Sequence, residues 1–281
     1  MNEQTSALVA LVNKMPDPDQ RGMYCADIDK EKIEGAIAKI LKGGRDNIIG
    51  VIDMLVEPGK GDDVKAHYAL HCMALHVCKL KNDRPRRRFS RTLASQLGGD
   101  RPKEVQKYLV RELQIAGGKE VVKALGALLV DEELCEPAAQ ALAAIGDGAA
   151  EQFHSALSKA SGKCRLTIMQ NLGVVRDVKS ADALKKAVSD EDGAVRIAAV
   201  WALANIGDAD SANVLVRAAD QAEGWERTQT TKACLLLAEK LRAAGRKSEA
   251  VRIYRHLRDT RSDPAERYVR DAAKIGLAAS D

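Results

Sequence analysis

The sequence predicts an all-α chain, a solenoid in which helix pair stacks on helix pair. Three observations predict it. Ala, Leu, Lys, Arg and Glu dominate the 281 residues, aromatics are 3%, and few runs rich in Val, Ile and Thr stand between turn signals. A leucine recurs just before a turn, at Leu113, Leu142, Leu172, Leu203 and Leu241, and Ala272 of "AAKIG" takes the same place. The steps are 29, 30, 31, 38 and 31 residues, a period that marks stacked supersecondary units. Each unit then divides into two helical phrases.

The clearest copy is "AVRIAAVWALANIGD", Ala194 to Asp208. Val195, Ala199, Leu203 and Ile206 recur at helical spacing and form one apolar stripe. Gly207 stops the helix, because glycine enters the left-handed region without a Cβ clash. Asp208 or Asp210 then caps the second phrase, "SANVLVRAAD", which buries Ala212, Leu215, Ala218 and Ala219. Such a pair has too little apolar area to fold alone and must stack on neighbours.

Along the chain, residues 1–27 read as a capping helix and loop, and residues 28–281 as the solenoid. Helix pairs are expected over Asp29–Glu57 and Asp62–Gly99. Looser copies of the clear phrase follow at Glu136–Asp147 and Leu166–Asp177; both lack its early arginine, and Arg176 replaces the glycine in the second. The stretch "QAEGWERTQ" absorbs the one long step, and residues 225–281 hold the last pair and an end cap, Ala265–Ala278. A division at "PRRR" is disfavoured because helical periodicity resumes at once on both sides.

The phrase "VRxAAxxALxxIGD" of Val195–Asp208 resembles the HEAT repeat, in the short form also seen in phycobilisome-lyase proteins. "GRKSEAVRIYRHL" is similar to the second helix of a tetratricopeptide repeat. The resemblance covers about two-thirds of the chain. It implies a right-handed α-solenoid of about seven stacked helix pairs, used mainly as a binding scaffold, with the second helices lining the concave side.

Charge is distributed unevenly. The whole chain carries +4, but Lys79–Arg91 alone carries +6 and Arg242–Arg261 carries +5, so the remainder is acidic. Two basic segments on an acidic body suit an anionic partner. Two residues beyond the second-helix core positions Leu184, Leu215 and Ile253 come Lys186, Arg217 and Arg255; beside them run Lys185, Val216 and Tyr254. The resemblance puts the three cations in one groove, where they form a ladder for an elongated anion. Against this stands the plain reading of a solvated face. On the first helices, the residue two before each marker is Arg111, Gln140, Gln170, Trp201, Glu239 and Arg270. Trp201 breaks this polar column, either as a partner contact or by packing against the long loop that contains Trp225.

The densest charge is Arg84–Arg91. Arg86, Arg87, Arg88 and Arg91 there could meet phosphates, with Phe89 stacking on a base. The competing reading has Phe89, Leu93 and Leu97 as a buried stripe with the arginines as a solvated first turn. In "HYALHCMALHVC", His67, His71 and Cys78 fall within roughly 40° on one helix face and could bind zinc. The stripe borders Leu70, Met73 and Val77, no carboxylate stands at a motif-defined distance, and packing is the favoured reading.

Enzymatic readings find little support. HEAT-like folds include di-iron hydroxylases that rely on His-Glu pairs, and this sequence has no His-Glu dipeptide. Alkylpurine glycosylases of the same type use a basic groove with tryptophan and aspartate, but no motif here supports that comparison. There is no glycine-rich phosphate loop and no nucleophile elbow. Six cysteines, Cys25, Cys72, Cys78, Cys135, Cys164 and Cys234, form no CxxC pair and read as reduced thiols. The start, "MNEQTSALVALVNKM", has no basic leader, and no stretch approaches the ~20 apolar residues of a membrane span. The expectation is therefore a cytoplasmic, non-catalytic scaffold with no cofactor. Its partner is a protein or peptide, acidic in character, with nucleic acid as the alternative and neither a membrane nor a small molecule expected.

Overall fold

The computed structural model describes residues 3–24 and 28–280; Cys25 lies outside them. Among the described residues there are sixteen α-helices and no strand. The chain divides into two compact units, Met1–Gln152 and Phe153–Asp281. The first holds α1 (Glu3–Val12), α2 (Lys30–Lys42), α3 (Gly44–Ile52), α4 (Val64–Lys79), α5 (Asp83–Ala94), α6 (Lys103–Ala116), α7 (Val122–Ala127) and α8 (Cys135–Ile145). Helix α9 (Ala149–Leu157) crosses the division. The second holds α10 (Gly162–Val174), α11 (Ala181–Ala187), α12 (Gly193–Ile206), α13 (Ala212–Gln221), α14 (Gly224–Ala243), α15 (Lys247–Thr260) and α16 (Arg267–Ala278).

The helices between α1 and α16 follow one another as seven pairs, and the two early pairs fall inside the ranges the sequence predicts. In the first unit, α2, α4, α6 and α8 pack each on the next, with α3 against α5 alongside. In the second, α10, α12 and α14 do the same, while α13 lies against α14 and α15 against α16. The "PRRR" run sits inside α5 and marks no boundary.

Packing accounts for the recurring leucine. Leu113, Leu142, Leu172 and Leu203 are fully buried, and Leu241 nearly so. The last copy slips by one position: Ala272 is half-buried, and Val269, Ala273 and Gly276 form the covered stripe of α16. Helix α16 packs on α14 and α15, and its covered stripe turns toward Tyr254. Helix α12 is covered by α10 on one side and α14 on the other. It buries Val195, Ala198, Ala199, Val200, Ala202, Leu203 and Ala204, nearly all round, where the sequence suggests a single stripe.

Side-chain size sets how closely these helices approach. A Cβ added at Gly173 of α10 would stand 2.7 Å from the Cα of Ala202 on α12. Glycine against alanine is therefore what allows the two backbones to meet.

The junctions follow the predicted chemistry. Gly207 ends α12 at φ 78, ψ 26, in the left-handed region. Of the two candidate caps, Asp208 serves: it accepts the Asp210 backbone N–H at 3.2 Å and the Ser211 hydroxyl at 2.8 Å. One repeat earlier, Asp177 accepts the Lys179 N–H at 3.3 Å and the Ser180 hydroxyl.

The reading that both looser copies lack the early arginine is corrected for the second. Arg165 stands seven residues before Leu172, as Arg196 does before Leu203, one residue outside the stretch compared.

Candidate functional site

Lys186 on α11, Arg217 on α13 and Arg255 on α15 are all exposed, and the core residues two positions earlier, Leu184, Leu215 and Ile253, are buried. The column is thus real at the level of burial. Lys186 and Arg217 make no ion pair among the described residues. Their neighbours differ. Lys185 reaches the Asp208 carboxylate at 2.9 Å and Asp182 at 3.7 Å, and the hydrogen bond to Asp208 raises its pKa. It ties one repeat to the next. Tyr254, expected beside the groove, is only 4% exposed. Its ring lies against Gly276, where an added Cβ would stand 2.4 Å from the ring. Tyr254 is a core residue that seats α16 and is corrected as a contact candidate.

Two cavities accompany the column. One, of about 710 Å³, is lined by α9, α10 and α11 and includes Leu157, Ser158, Arg165, Ala183, Lys186, Ala187 and Asp190. The other, of about 720 Å³, includes Val188, Ser189, Arg196, Val214, Arg217, Ala218 and Gln221, with Asp190, Glu223 and Glu226. Adding 31 to the seven residues named for the first gives the first seven named for the second. The two cavities are one cavity, repeated at the step of the chain.

Their floors repeat as well. Arg165 pairs with the Asp190 carboxylate at 2.9 Å. Arg196 grips Glu226 with two bonds of 2.6 Å and donates to the carbonyls of Asp190 at 2.7 Å and Glu191 at 2.9 Å. The Asp192 backbone N–H, then Arg165, hold the Asp190 carboxyl below its usual range, and Arg196 does so for Glu226. A third arginine in step, Arg227, grips Glu266 at 2.7 and 3.0 Å. These floor arginines are satisfied by their own carboxylates, so the charges left for a ligand are those at the rims.

The Arg84–Arg91 cluster is committed differently from the expectation. Arg86 bonds Asp83, the Ala116 carbonyl at 2.8 Å and Glu120 at 2.8 Å. Arg87 pairs with Asp83, and Arg88 donates to the Leu41 carbonyl at 2.8 Å. Phe89 is fully buried, with Leu93, and has no face free for a base. Asp83, in the first turn of α5, offsets the positive charge that the helix dipole disfavours there. Of the four arginines named as phosphate contacts, only Arg91 is exposed without such a bond.

The model of the family described as HEAT repeats matches residues 150–235. Those residues are HEAT repeats. Every residue that lines the two cavities lies within the matched stretch. No curated protein matches the sequence. Among solved structures, an engineered protein is similar over 99% of this chain and 84% of its own, at 19% identity and a TM-score of 0.47. A structure from work on a phosphorylation switch between cadherin and beta-catenin covers 97% and 63%, at 14% identity and 0.41. Human deoxyhypusine hydroxylase with glycerol covers 98% and 96%, at 14% identity and 0.30.

Within the HEAT repeats Trp201 is half-buried, packed against the core of the second unit, and its indole N–H donates to Gln229 of α14 at 3.3 Å. The packing alternative accounts for it, although its neighbour is the helix α14 rather than a loop. The exposed tryptophan is Trp225, 70% accessible, on the first turn of α14.

Outside the HEAT match, the three candidate metal ligands take separate partners. His67 pairs with Asp63 at 3.1 Å, His71 meets both Glu112 carboxylate oxygens at 3.2 Å, and Cys78 donates to the Ile115 carbonyl at 3.6 Å. Among the described residues no three His, Cys, Asp or Glu side chains are grouped to hold a metal. Glu112 is fully buried, and desolvation raises its pKa against the opposing pull of His71. Sequence gave no sign of it, because a glutamate four residues from a tyrosine on an amphipathic helix looks solvated. The groove floor was equally hidden: Asp190 and Glu226 acquire their roles only from contacts between repeats.

Proposed function

We propose that the chain is a non-catalytic repeat scaffold that docks an acidic segment of another protein on the exposed faces of α11, α13 and α15. The observation that carries this reading is the recurrence of Lys186, Arg217 and Arg255 at equivalent helix positions, with Lys186 and Arg217 beside two copies of one cavity. Exposed cations without internal partners retain their full attraction for an incoming carboxylate, whereas the paired arginines of the floor do not.

An acidic protein segment fits these surroundings better than a nucleic acid. Glu223, which has no ion pair among the described residues, lines the same groove as Arg217 and would repel a continuous phosphate backbone. The Arg84–Arg91 cluster, the other candidate for phosphate binding, is largely spent on α5's own neighbours. The test is fluorescence anisotropy of labelled poly-L-glutamate and of a random DNA duplex against the full chain at several salt concentrations. Poly-L-glutamate is expected to bind and the duplex to show no saturable binding at physiological salt. Duplex binding that falls linearly with log salt, without binding of polyglutamate, overturns the reading.

A further inference from the structure

The two cavities of the second unit repeat not only in shape but in charge. At the floor of each stands an arginine already neutralised across the repeat, Arg165 by Asp190 and Arg196 by Glu226. At the rim of each stands a cation with no partner, Lys186 and then Arg217, 31 residues on. Asp190 lines both cavities, so they adjoin. The series then stops. Asp220, 31 residues beyond Ser189, is bonded instead to Arg261 at 2.8 Å and His256 at 2.9 Å, and Arg261 is 1% exposed. The protein's own ion pairs occupy the third position.

We infer that the two adjoining cavities are successive subsites for one extended peptide, and that they select acidic side chains spaced three residues apart. The inference rests on the proposed docking of an acidic segment and adds its spacing. Stacked helices lie about 8–10 Å apart. A polyproline II strand advances about 3.1 Å per residue with three residues per turn, so one repeat step corresponds to about three residues of ligand and every third side chain returns to the same side. Side chains at that separation can meet Lys186 and Arg217 together. Adjacent acidic residues do not, since the three-residue turn of such a strand points them about 120° apart.

The second subsite carries its own discriminator. Glu223 lines it with Arg217 and has no ion pair among the described residues. One carboxylate at Arg217 is accommodated, while a block of negative charge still binds but less tightly, weakened by repulsion from Glu223. A ligand with one acid per step satisfies both.

The experiment uses the full chain and two fluorescein-labelled twelve-residue peptides of identical composition, each with three glutamates among glycine and serine. In one the glutamates stand at every third position; in the other they are contiguous. The spaced peptide is expected to bind about fivefold or more tighter by anisotropy, a ratio within reach of one lost exposed charge contact. Lys186→Glu and Arg217→Glu, both at exposed positions, are each expected to remove that preference, and Glu223→Gln to improve binding of the contiguous peptide. Equal affinity of the two peptides, with both weakened by the reversals, overturns the spacing and leaves the acidic docking face standing. Affinities of both peptides that ignore the reversals overturn the spacing and the docking face together.

Discussion

At Arg176 the backbone turns at φ 53, and it is the one residue other than glycine with a positive φ among those described. It stands where Gly207 stands one repeat later. A side chain in the left-handed region costs roughly 1–2 kcal/mol, and glycine's greater freedom when unfolded returns roughly 0.5–1 of that. Arg176→Gly should therefore stabilise the chain by about 0.5–1 kcal/mol in urea unfolding. No gain would mean that the arginine side chain supplies a compensating contact. The position was legible from sequence, because the register of the repeats set an arginine where its neighbours have glycine. Tyr254 was not. A tyrosine beside an arginine on an amphipathic helix looks like a contact residue, and only the ring's place over Gly276 makes it core.

Among the helices, the tightest constraint is the approach of α10 to α12 at Gly173 and Ala202. An alanine at 173 would bring a methyl to 2.7 Å from backbone, which no side-chain rotation relieves. Gly173→Ala should cost about 1–3 kcal/mol by overpacking, despite alanine's better helix propensity of about 1 kcal/mol. An unchanged unfolding midpoint would show that the two helices can slide apart freely. The helices themselves and their junctions could be read from spacing, glycine and aspartate alone. Which sides of each helix are covered could not. The all-round burial of α12 depends on two neighbours, and the one-residue slip of α16 accompanies its seat on the Tyr254 ring. The pairing of Arg165, Arg196 and Arg227 with carboxylates of other elements is likewise a property of the stack.

At the scale of the whole molecule, the two basic segments separate into different fates. Much of Arg84–Arg91 is consumed within the first unit by Asp83, Glu120 and two backbone carbonyls. In the second unit, by contrast, Arg255 of the other basic segment is exposed at the helix position that Lys186 and Arg217 hold, both outside the segments that composition singled out. Net charge therefore does not single out the proposed docking face, whereas the register of the repeats does. No helix among the described residues is long and apolar enough to cross a membrane. The most direct measurement is the affinity of labelled poly-L-glutamate for the Lys186→Glu, Arg217→Glu double variant, taken beside its unfolding free energy. Both side chains are exposed and unpaired, so stability should hold within about 0.5 kcal/mol while affinity falls at least about tenfold. Unchanged affinity in the folded double variant would contradict the proposed docking face.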